Sequence, residues 1–292
     1  SGGSGVGGGR EDGIPAALQG FSDTAFQEWL KDTQRQLPAD VLVPLAGLLR
    51  VTLPEVEVHD FRKAGYLPEV ICNFIALLGW SPGENVEKFN MAFLATKFDF
   101  PRIGKTNAKF DRVKLASFNK DAMGAMTPEV FCARFGEWCR LFEARYTSEL
   151  PPERFALLAE ALRARCKTFG DAAEQGRFVL TPDDEVEYDQ KAVAKTLRAA
   201  KEGEASGLDV LREVLPVLVG LTHFGVAEVQ AAVEGFAAAK GLGIGAVAQP
   251  LRVAVTGTGV SPPLGETLAV LGKESSVRRI ERCVRSTSGP TV

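Results

Sequence analysis

The amino-acid sequence predicts a mainly all-α fold, and three observations lead to that prediction. Apolar residues recur every three or four positions along most of the chain, which is the spacing of one helix face. Proline and glycine fall at the borders of these stretches, where helices begin and end. Strand signals are scarce, and the clearest β-like run, at 251–256, is short. We therefore expect pairs of helices joined by short connections.

The chain begins with two segments that differ from the rest. Residues 1–20 are predicted to be a flexible linker, because the first ten are mostly glycine and serine. A phosphate-binding loop is disfavoured there, since no strand signal precedes the glycines and no Gly-Lys-Ser/Thr follows them. Residues 21–55 predict a hairpin of two short helices. Their apolar stripes are Phe26, Leu30 and Leu37, then Val41, Leu42, Leu45, Leu48 and Leu49.

Helices in the remaining chain have recognisable starts and stops. Proline in the first turn marks three starts, at Pro68, Pro128 and Pro152. Later helices are expected to start near Asp189, Leu208, Val226, Pro263 and Lys273, and to stop at glycines such as Gly79, Gly241 and Gly272. The expected core of the first three includes Val70, Phe74, Leu78, Phe131, Phe135, Trp138, Leu158 and Leu162.

Composition argues against several classes of site. Five cysteines are an odd number without CxxC spacing, so we expect reduced packing cysteines and no disulfide or zinc framework. Two histidines give little basis for histidine catalysis, and none of the GxSxG, HExxH, P-loop or GxGxxG motifs is present in context. No apolar run approaches the ~20 residues that span a bilayer, and no secretory signal is recognisable. We therefore expect no catalytic residue and no metal site in this sequence.

Two short motifs allow more than one interpretation. The acidic run at 183–185, with Glu187, would suit a cation, but a solvated loop is the favoured interpretation because the run follows Thr181-Pro182 in a polar stretch. The glycine-rich segment 241–245 follows a predicted helix, so a helix stop and loop is favoured over a ligand cradle.

Basic residues are clustered although the net charge of the chain is −3. Residues 97–120 carry seven cations against two aspartates: Lys97, Arg102, Lys105, Lys109, Arg112, Lys114 and Lys120. Such a patch suits the phosphates of a nucleic acid, and a solvated helical face is the alternative. Two smaller clusters are Arg163, Arg165 and Lys167 at a helix end, and Arg278, Arg279, Arg282 and Arg285 on the last helix. For these, a favourable helix dipole and a salt-bridged surface are the respective alternatives.

Four strings resemble bacterial-type glutamyl-tRNA synthetases. The family segment after the KMSKR loop is similar to residues 59–89, HDFRKAGYLPEVICNFIALLGWSPGENVEKF. The SKSxAxFDxxKLxWxN stretch is similar to residues 103–119, IGKTNAKFDRVKLASFN, with Phe118 in the usual tryptophan position. The RCKTLKEMA segment resembles residues 163–173, RARCKTFGDAA, and the PLRxAxTGxxxSP ending resembles residues 248–281. All four occur in the family order, across about residues 56–285.

The resemblance implies an α-helical stem-contact domain followed by an α-helical-cage anticodon-binding domain of two subdomains. The expected boundaries are 56–126 for the stem-contact domain, 127–202 and 203–285 for the two subdomains, and 286–292 for a tail. The hairpin at 21–55 would then be a helical insertion of the kind that some relatives carry. The implied partners are tRNA(Glu) and the catalytic Rossmann domain of the same parent enzyme, in a cytoplasmic, monomeric protein without membrane contact.

The resemblance also implies roles for individual residues. Arg165 is the first choice for a contact to an anticodon base, because a planar guanidinium matches a base edge. The expected anticodon-binding residues are Arg163, Arg165, Lys167, Arg252, Thr256 and Ser261, although a turn that holds the last two helices would also explain the last three. The expected contacts to tRNA backbone phosphates are Lys105, Lys109 and Lys114.

The sequence departs from the family in one respect, because the HIGH and KMSKR signatures are not in it. The parent protein is expected to be a glutamate–tRNA ligase, and this chain a fragment that is inactive alone. ATP, Mg²⁺ and glutamate would bind to the missing catalytic domain, with no cofactor in this chain. Two alternatives remain: a stand-alone tRNA-binding protein derived from such an enzyme, and a helical module whose RNA surface has decayed.

Overall fold

A computed structural model of the chain describes residue 31 and residues 39–49, 55, 57–83, 85–104, 110–198 and 205–287. Within these ranges the secondary structure is helical, and the one β-type pairing is an isolated antiparallel bridge between Trp80 and Ile103. The prediction of a mainly all-α fold is confirmed. The chain divides into two units, Ser1–Val58 and His59–Val292.

The first unit contains one described helix, α1 (Ala39–Leu49), which carries Pro44 inside it and buries Ala46. This helix is the second of the two expected in the 21–55 hairpin. The first of them, with Phe26, Leu30 and Leu37, lies outside the described residues, as does the linker at 1–20.

Helix α2 (Val58–Ala64) begins at the last residue of the first unit. It is followed by α3 (Pro68–Gly79), α4 (Met91–Lys97), a 3-10 turn (Phe100–Arg102) and α5 (Arg112–Gly124). Helix α3 packs on α4 and α5, and its Phe74 meets Phe118 of α5 edge to face, with ring centroids 6.2 Å apart. Asp111 caps α5, because its side chain accepts a hydrogen bond from the Lys114 N–H.

Next come α6 (Pro128–Phe142), α7 (Arg145–Ser148), α8 (Pro152–Arg163), α9 (Phe169–Gly176) and a 3-10 turn (Arg177–Leu180), and then α10 (Gln190–Ala192), which continues as a π-helical turn (Val193–Arg198). Helix α6 packs on α8, where Phe135 and Phe155 stack with centroids 5.4 Å apart. The three proline-marked starts are confirmed at Pro68, Pro128 and Pro152.

The last part consists of α11 (Gly207–Val219), α12 (Val226–Ala239), α13 (Ile244–Thr256), α14 (Leu264–Leu271) and α15 (Lys273–Thr287). Helix α13 contacts α11, α12 and α15, and α14 contacts α8 of the preceding part. The glycine stops are confirmed, because Gly241 and Gly272 have φ angles of 65° and 78° just after helices.

The β-like interpretation of residues 251–256 is wrong, because these residues lie inside α13. Leu251, Val253, Ala254 and Val255 are all buried there. A helix surrounded by other helices is apolar on several faces, so its sequence loses the one-sided period that distinguishes a helix from a strand.

Helices α2 and α9 meet at a backbone contact that excludes side chains. The Phe169 N–H donates to the Gly65 carbonyl at 3.1 Å, and Gly65 has φ = 85°. A Cβ at Gly65 would lie 2.6 Å from Phe169 N, and a Cβ at Gly170 would lie 2.8 Å from the Ala64 carbonyl oxygen. Glycine at both positions therefore sets the distance between the first and the middle part of this unit.

In the acidic run at 183–185, Asp184 and Glu185 are exposed as the favoured interpretation expects, whereas Asp183 differs from it. Asp183 is not a solvated loop residue, because its side chain is 19% exposed and its two carboxylate oxygens accept from Arg279 Nε at 2.7 Å and Arg278 Nε at 2.8 Å. Arg278 and Arg279 of the last basic cluster therefore form ion pairs with a carboxylate of the same chain.

Among the described helices, none is long and apolar enough to cross a membrane.

Candidate nucleic-acid interface

The segment that runs from the last residue of α8 to the cap of α9, residues 163–168, is held in place by α5. Asn119 of α5 is fully buried, and its Nδ2 donates to the Lys167 carbonyl at 2.6 Å while its Oδ1 accepts from the Leu67 N–H at 2.8 Å. At the same end of the segment, Thr168 caps α9 and Asp171 accepts from the Lys167 N–H at 2.8 Å. This bracing fixes the backbone on which Arg165 and Lys167 present exposed side chains.

Arg163 is placed differently from its two neighbours. Its Nη1 donates to the Gly124 and Met126 carbonyls at 2.9 and 2.8 Å, and its Nε and Nη2 both bind the Glu160 carboxylate. The Glu160 hydrogen bonds raise the pKa of Arg163 above its usual value. Arg163 thus ties α8 to the end of α5, and its expected RNA contact stays a prediction.

Arg165 and Arg252 are brought together at Ser261. Arg165 lies in the 163–168 segment, and its Nη2 donates to the Ser261 carbonyl at 3.3 Å although the two residues are 96 positions apart. Arg252 lies on α13, and its Nε donates to the Ser261 hydroxyl at 2.8 Å. The two expected anticodon clusters, distant in sequence, therefore form one surface.

This pair of arginines is electrostatically unsatisfied. Burial lowers the pKa of Arg252 below its ordinary value, and the nearby charge of Arg165 lowers it further. In the described part of the chain, no carboxylate pairs with either guanidinium. Two cations held side by side without a directly paired carboxylate favour the approach of an anionic or electron-rich ligand.

Lys120 extends the surface, although the sequence patterns do not single it out as a site residue. Burial and the charge of Asp171 raise the pKa of the Cys166 thiol to about 12, and the charges of Arg165 and Lys120 oppose that rise, so all three charged groups lie near Cys166. Lys120 is exposed on α5. Its membership of the basic stretch at 97–120 was the available signal. Together, Arg165, Lys167, Arg252 and Lys120 form the basic face.

Thr256 and the turn after it support the alternative of a helix-holding turn. The Thr256 hydroxyl donates to the Arg252 carbonyl at 2.9 Å, and the Gly257 N–H donates to the Val253 carbonyl at 2.9 Å. Gly257 has φ = 80° and ends α13. The Thr256 hydroxyl and the Gly257 N–H thus donate to carbonyls of α13. An RNA contact by Thr256 stays a prediction.

The lysines expected on the tRNA backbone are only partly described. Lys105 and Lys109 lie outside the described residues. Lys114 Nζ pairs with Glu87 at 2.5 Å and sits 5.6 Å from the centre of the Phe118 ring. Its phosphate contact stays a prediction that requires this pair to open. Metal binding has no support from the described residues, where no group of His, Cys, Asp or Glu side chains could hold an ion.

Comparisons with known proteins show the family to which this chain belongs. The family model described as "Anticodon binding domain" matches residues 130–284. Glutamate–tRNA ligase of Mycolicibacterium paratuberculosis is 32% identical over 238 residues, which are 81% of this chain and 46% of that protein. Glutamate–tRNA ligase 1 of Methylorubrum extorquens is 34% identical over 235 residues, 76% of this chain and 46% of that protein. The chain thus spans about half the length of these relatives.

Among solved structures, the glutamate–tRNA ligase of Elizabethkingia meningosepticum, crystallised with its amino acid, has a TM-score of 0.66 at 23% identity. The match covers 90% of this chain and 56% of that one. Glutamate–tRNA synthetase of Elizabethkingia anophelis gives a TM-score of 0.64 at 23% identity. These two matches show a shared fold.

Proposed function

Because this chain belongs to the anticodon-binding domain family, we propose that it binds tRNA(Glu) and contacts the anticodon loop of that tRNA. The observation that carries the proposal is the meeting of Arg165 and Arg252 at Ser261. These two guanidinium groups come from the two strings that resemble anticodon-binding segments. Both strings lie within the residues that the family model matches.

The chemistry of the basic face suits a single-stranded RNA loop. Proteins read RNA sequence best from unstacked bases, whose edges accept bidentate hydrogen bonds from arginine. The cations beside them attract phosphates without regard to sequence. Arg165 and Arg252 are suited to the first task, and Lys167 and Lys120 to the second.

The parent protein is proposed to be a glutamate–tRNA ligase, which this chain supports by holding tRNA during ATP-dependent glutamylation. The similarity to glutamate–tRNA ligases over about half their length supports this. Since HIGH and KMSKR motifs are not in this sequence, ATP, Mg²⁺ and glutamate are proposed to bind to residues outside it. The chain by itself is then expected not to aminoacylate tRNA, and to act in the cytoplasm as part of a monomeric enzyme.

The first test is filter binding of this chain to tRNA(Glu) and tRNA(Gln) transcripts over a salt series, with a tRNA(Glu) whose anticodon bases are exchanged. Binding should favour tRNA(Glu) and should lose that preference when the anticodon is exchanged. Arg165→Ala should lose about 1–3 kcal/mol of discrimination, since one arginine–base contact is removed.

Lys240→Ala is the charge-matched control, because Lys240 pairs with Glu213 at 2.5 Å and is not part of the basic face. It should bind all three transcripts as the unsubstituted chain does. Absence of binding to any transcript at low salt, or equal binding to all three, would overturn the proposal.

A further inference from the structure

The hydroxyl of Ser261 is used inside the protein. Ser261 is 5% exposed, and its Oγ lies 2.8 Å from Arg252 Nε, 2.8 Å from the Pro262 carbonyl oxygen and 3.2 Å from Thr267 Oγ1. Arginine can only donate, so Ser261 must accept from Arg252. Its single proton is therefore directed at Pro262 or Thr267.

The Thr267 hydroxyl lies 3.2 Å from the Ser261 hydroxyl, and Thr267 is fully buried on α14. Its Oγ1 is 3.1 Å from the Pro262 carbonyl oxygen and 3.0 Å from the Pro263 carbonyl oxygen. Each hydroxyl has one proton, so the two bond to each other only when Ser261 donates to Thr267, or when Thr267 donates to Ser261 instead of to a proline carbonyl. In either arrangement a lone pair of Ser261 faces Arg252.

We infer that Thr267 is a positioning residue for RNA binding: its hydroxyl fixes Ser261, and Ser261 fixes the guanidinium of Arg252. This inference rests on the proposed function. It gives Ser261 a different role from the one that the resemblance implies, because the serine orients an arginine instead of meeting the RNA. Nothing in the sequence patterns points to Thr267, which lies on α14 whereas Arg252 lies on α13.

Arg252 needs such a holder for a physical reason. Its side chain is partly buried next to the like charge of Arg165, so an untethered guanidinium would turn toward solvent. The bond from Nε to Ser261 opposes this and uses only one of the five donors. The two terminal nitrogens of Arg252 have no protein acceptor among the described residues. They remain available to donate two parallel hydrogen bonds to a ligand.

The decisive variant is Thr267→Val, which keeps the shape of the side chain and removes its hydroxyl. We expect about a fivefold loss of tRNA(Glu) affinity, the value of one hydrogen bond, and recovery to within about twofold in Thr267→Ser. In an Arg252→Ala background, Thr267→Val should have no further effect, because Thr267 acts through Arg252. A merely structural threonine would give independent, additive losses.

A readout without RNA is the side-chain Nε–Hε signal of Arg252 in a ¹⁵N-arginine NMR spectrum of the full chain. This proton should exchange slowly with water in the parent chain and rapidly in Thr267→Val and Ser261→Ala. Thr287→Val is the matched control, since Thr287 is also buried but its hydroxyl donates to the Cys283 carbonyl and contacts neither Ser261 nor Arg252. It should leave the Arg252 signal unchanged.

Additive losses in the double variant, or an unchanged Arg252 signal in Thr267→Val, would overturn the inference. If the parent chain binds no tRNA, the proposed function fails. The NMR experiment then still decides whether Thr267 positions Arg252.

Discussion

Asp183 and Arg279 form an ion pair in which Oδ1 of the carboxylate accepts from Nε of the guanidinium at 2.7 Å. Arg279 is 2% exposed, and its two terminal nitrogens donate to the carbonyls of Phe178, Val255 and Thr181. This one side chain therefore joins α15 to the end of α13 and to the segment after α9. A buried cation with this many partners is expected to be essential for stability.

Replacement of the carboxylate tests this expectation directly. Asp183→Asn should lower the free energy of unfolding by about 3 kcal/mol, because it leaves a buried guanidinium without a counter-ion. Urea denaturation followed by circular dichroism measures the difference. Asp184→Asn changes an exposed neighbour and should stay within about 0.5 kcal/mol of the parent chain. Equal effects of the two variants would contradict the assigned role.

The same pair predicts a pH dependence. Burial alone would raise the pKa of Asp183, but hydrogen bonds and charge from Arg279 and Arg278 outweigh it, and the pKa lies below the ordinary value of 3.8. A carboxyl whose pKa is lowered on folding stabilises the protein above its unfolded pKa, and this contribution is lost as pH falls through the folded pKa. Unfolding free energies measured from about pH 5 downward should therefore fall less steeply in Asp183→Asn. Asp184→Asn should keep the parent slope.

The contact between Gly65 and Phe169 gives a third prediction. Gly65→Ala should destabilise the chain by about 3 kcal/mol, because a positive φ and a clash with backbone atoms act together. Gly83 has the same φ of 85°, with nothing within 4 Å of an added Cβ. Gly83→Ala should therefore cost only about 1 kcal/mol, the strain of the left-handed conformation alone. Thermal and urea unfolding of both variants separates the clash from the strain.

Arg163 and Lys167, which the sequence treats as one cluster, should behave in opposite ways. Arg163→Ala should lower the unfolding free energy by about 2 kcal/mol, since it leaves two carbonyls of the α5–α6 connection without a donor. Lys167→Ala removes an exposed cation, so stability should change by less than about 0.5 kcal/mol. If the proposed function holds, the slope of log binding constant against log salt concentration for tRNA should become smaller by about 1 in Lys167→Ala. A large stability loss in Lys167→Ala would contradict this division.

Much of the fold could be predicted, because helix ends depend on local chemistry. Prolines in first turns, glycines with positive φ and capping side chains act within a few residues, and the structure has helices beginning at Pro68, Pro128 and Pro152. The run at 251–256 was misjudged because its buried surroundings come from α11, α12 and α15, which its own sequence does not reveal.

The candidate site could be predicted only in part. Residue type and resemblance identified Arg165, Arg252 and Ser261, which the structure brings together. They gave no means to separate Arg163, which is bonded to two carbonyls, from Lys167, which is exposed. Thr267 had no signal at all, since a buried threonine hydroxyl acquires its role from whichever acceptor lies beside it.

The sequence by itself determined the helical class, most helix boundaries and the strings shared with glutamyl-tRNA synthetases, because these depend on residues close together in the chain. Only the tertiary structure decided which cations are used inside the protein, as Arg163 and Arg279 are, and which face solvent, as Arg165 and Lys167 do. The physical reason is that a long, charged side chain finds its partner through space. Whether that partner is a carbonyl, a carboxylate or water depends on how helices distant in sequence pack together.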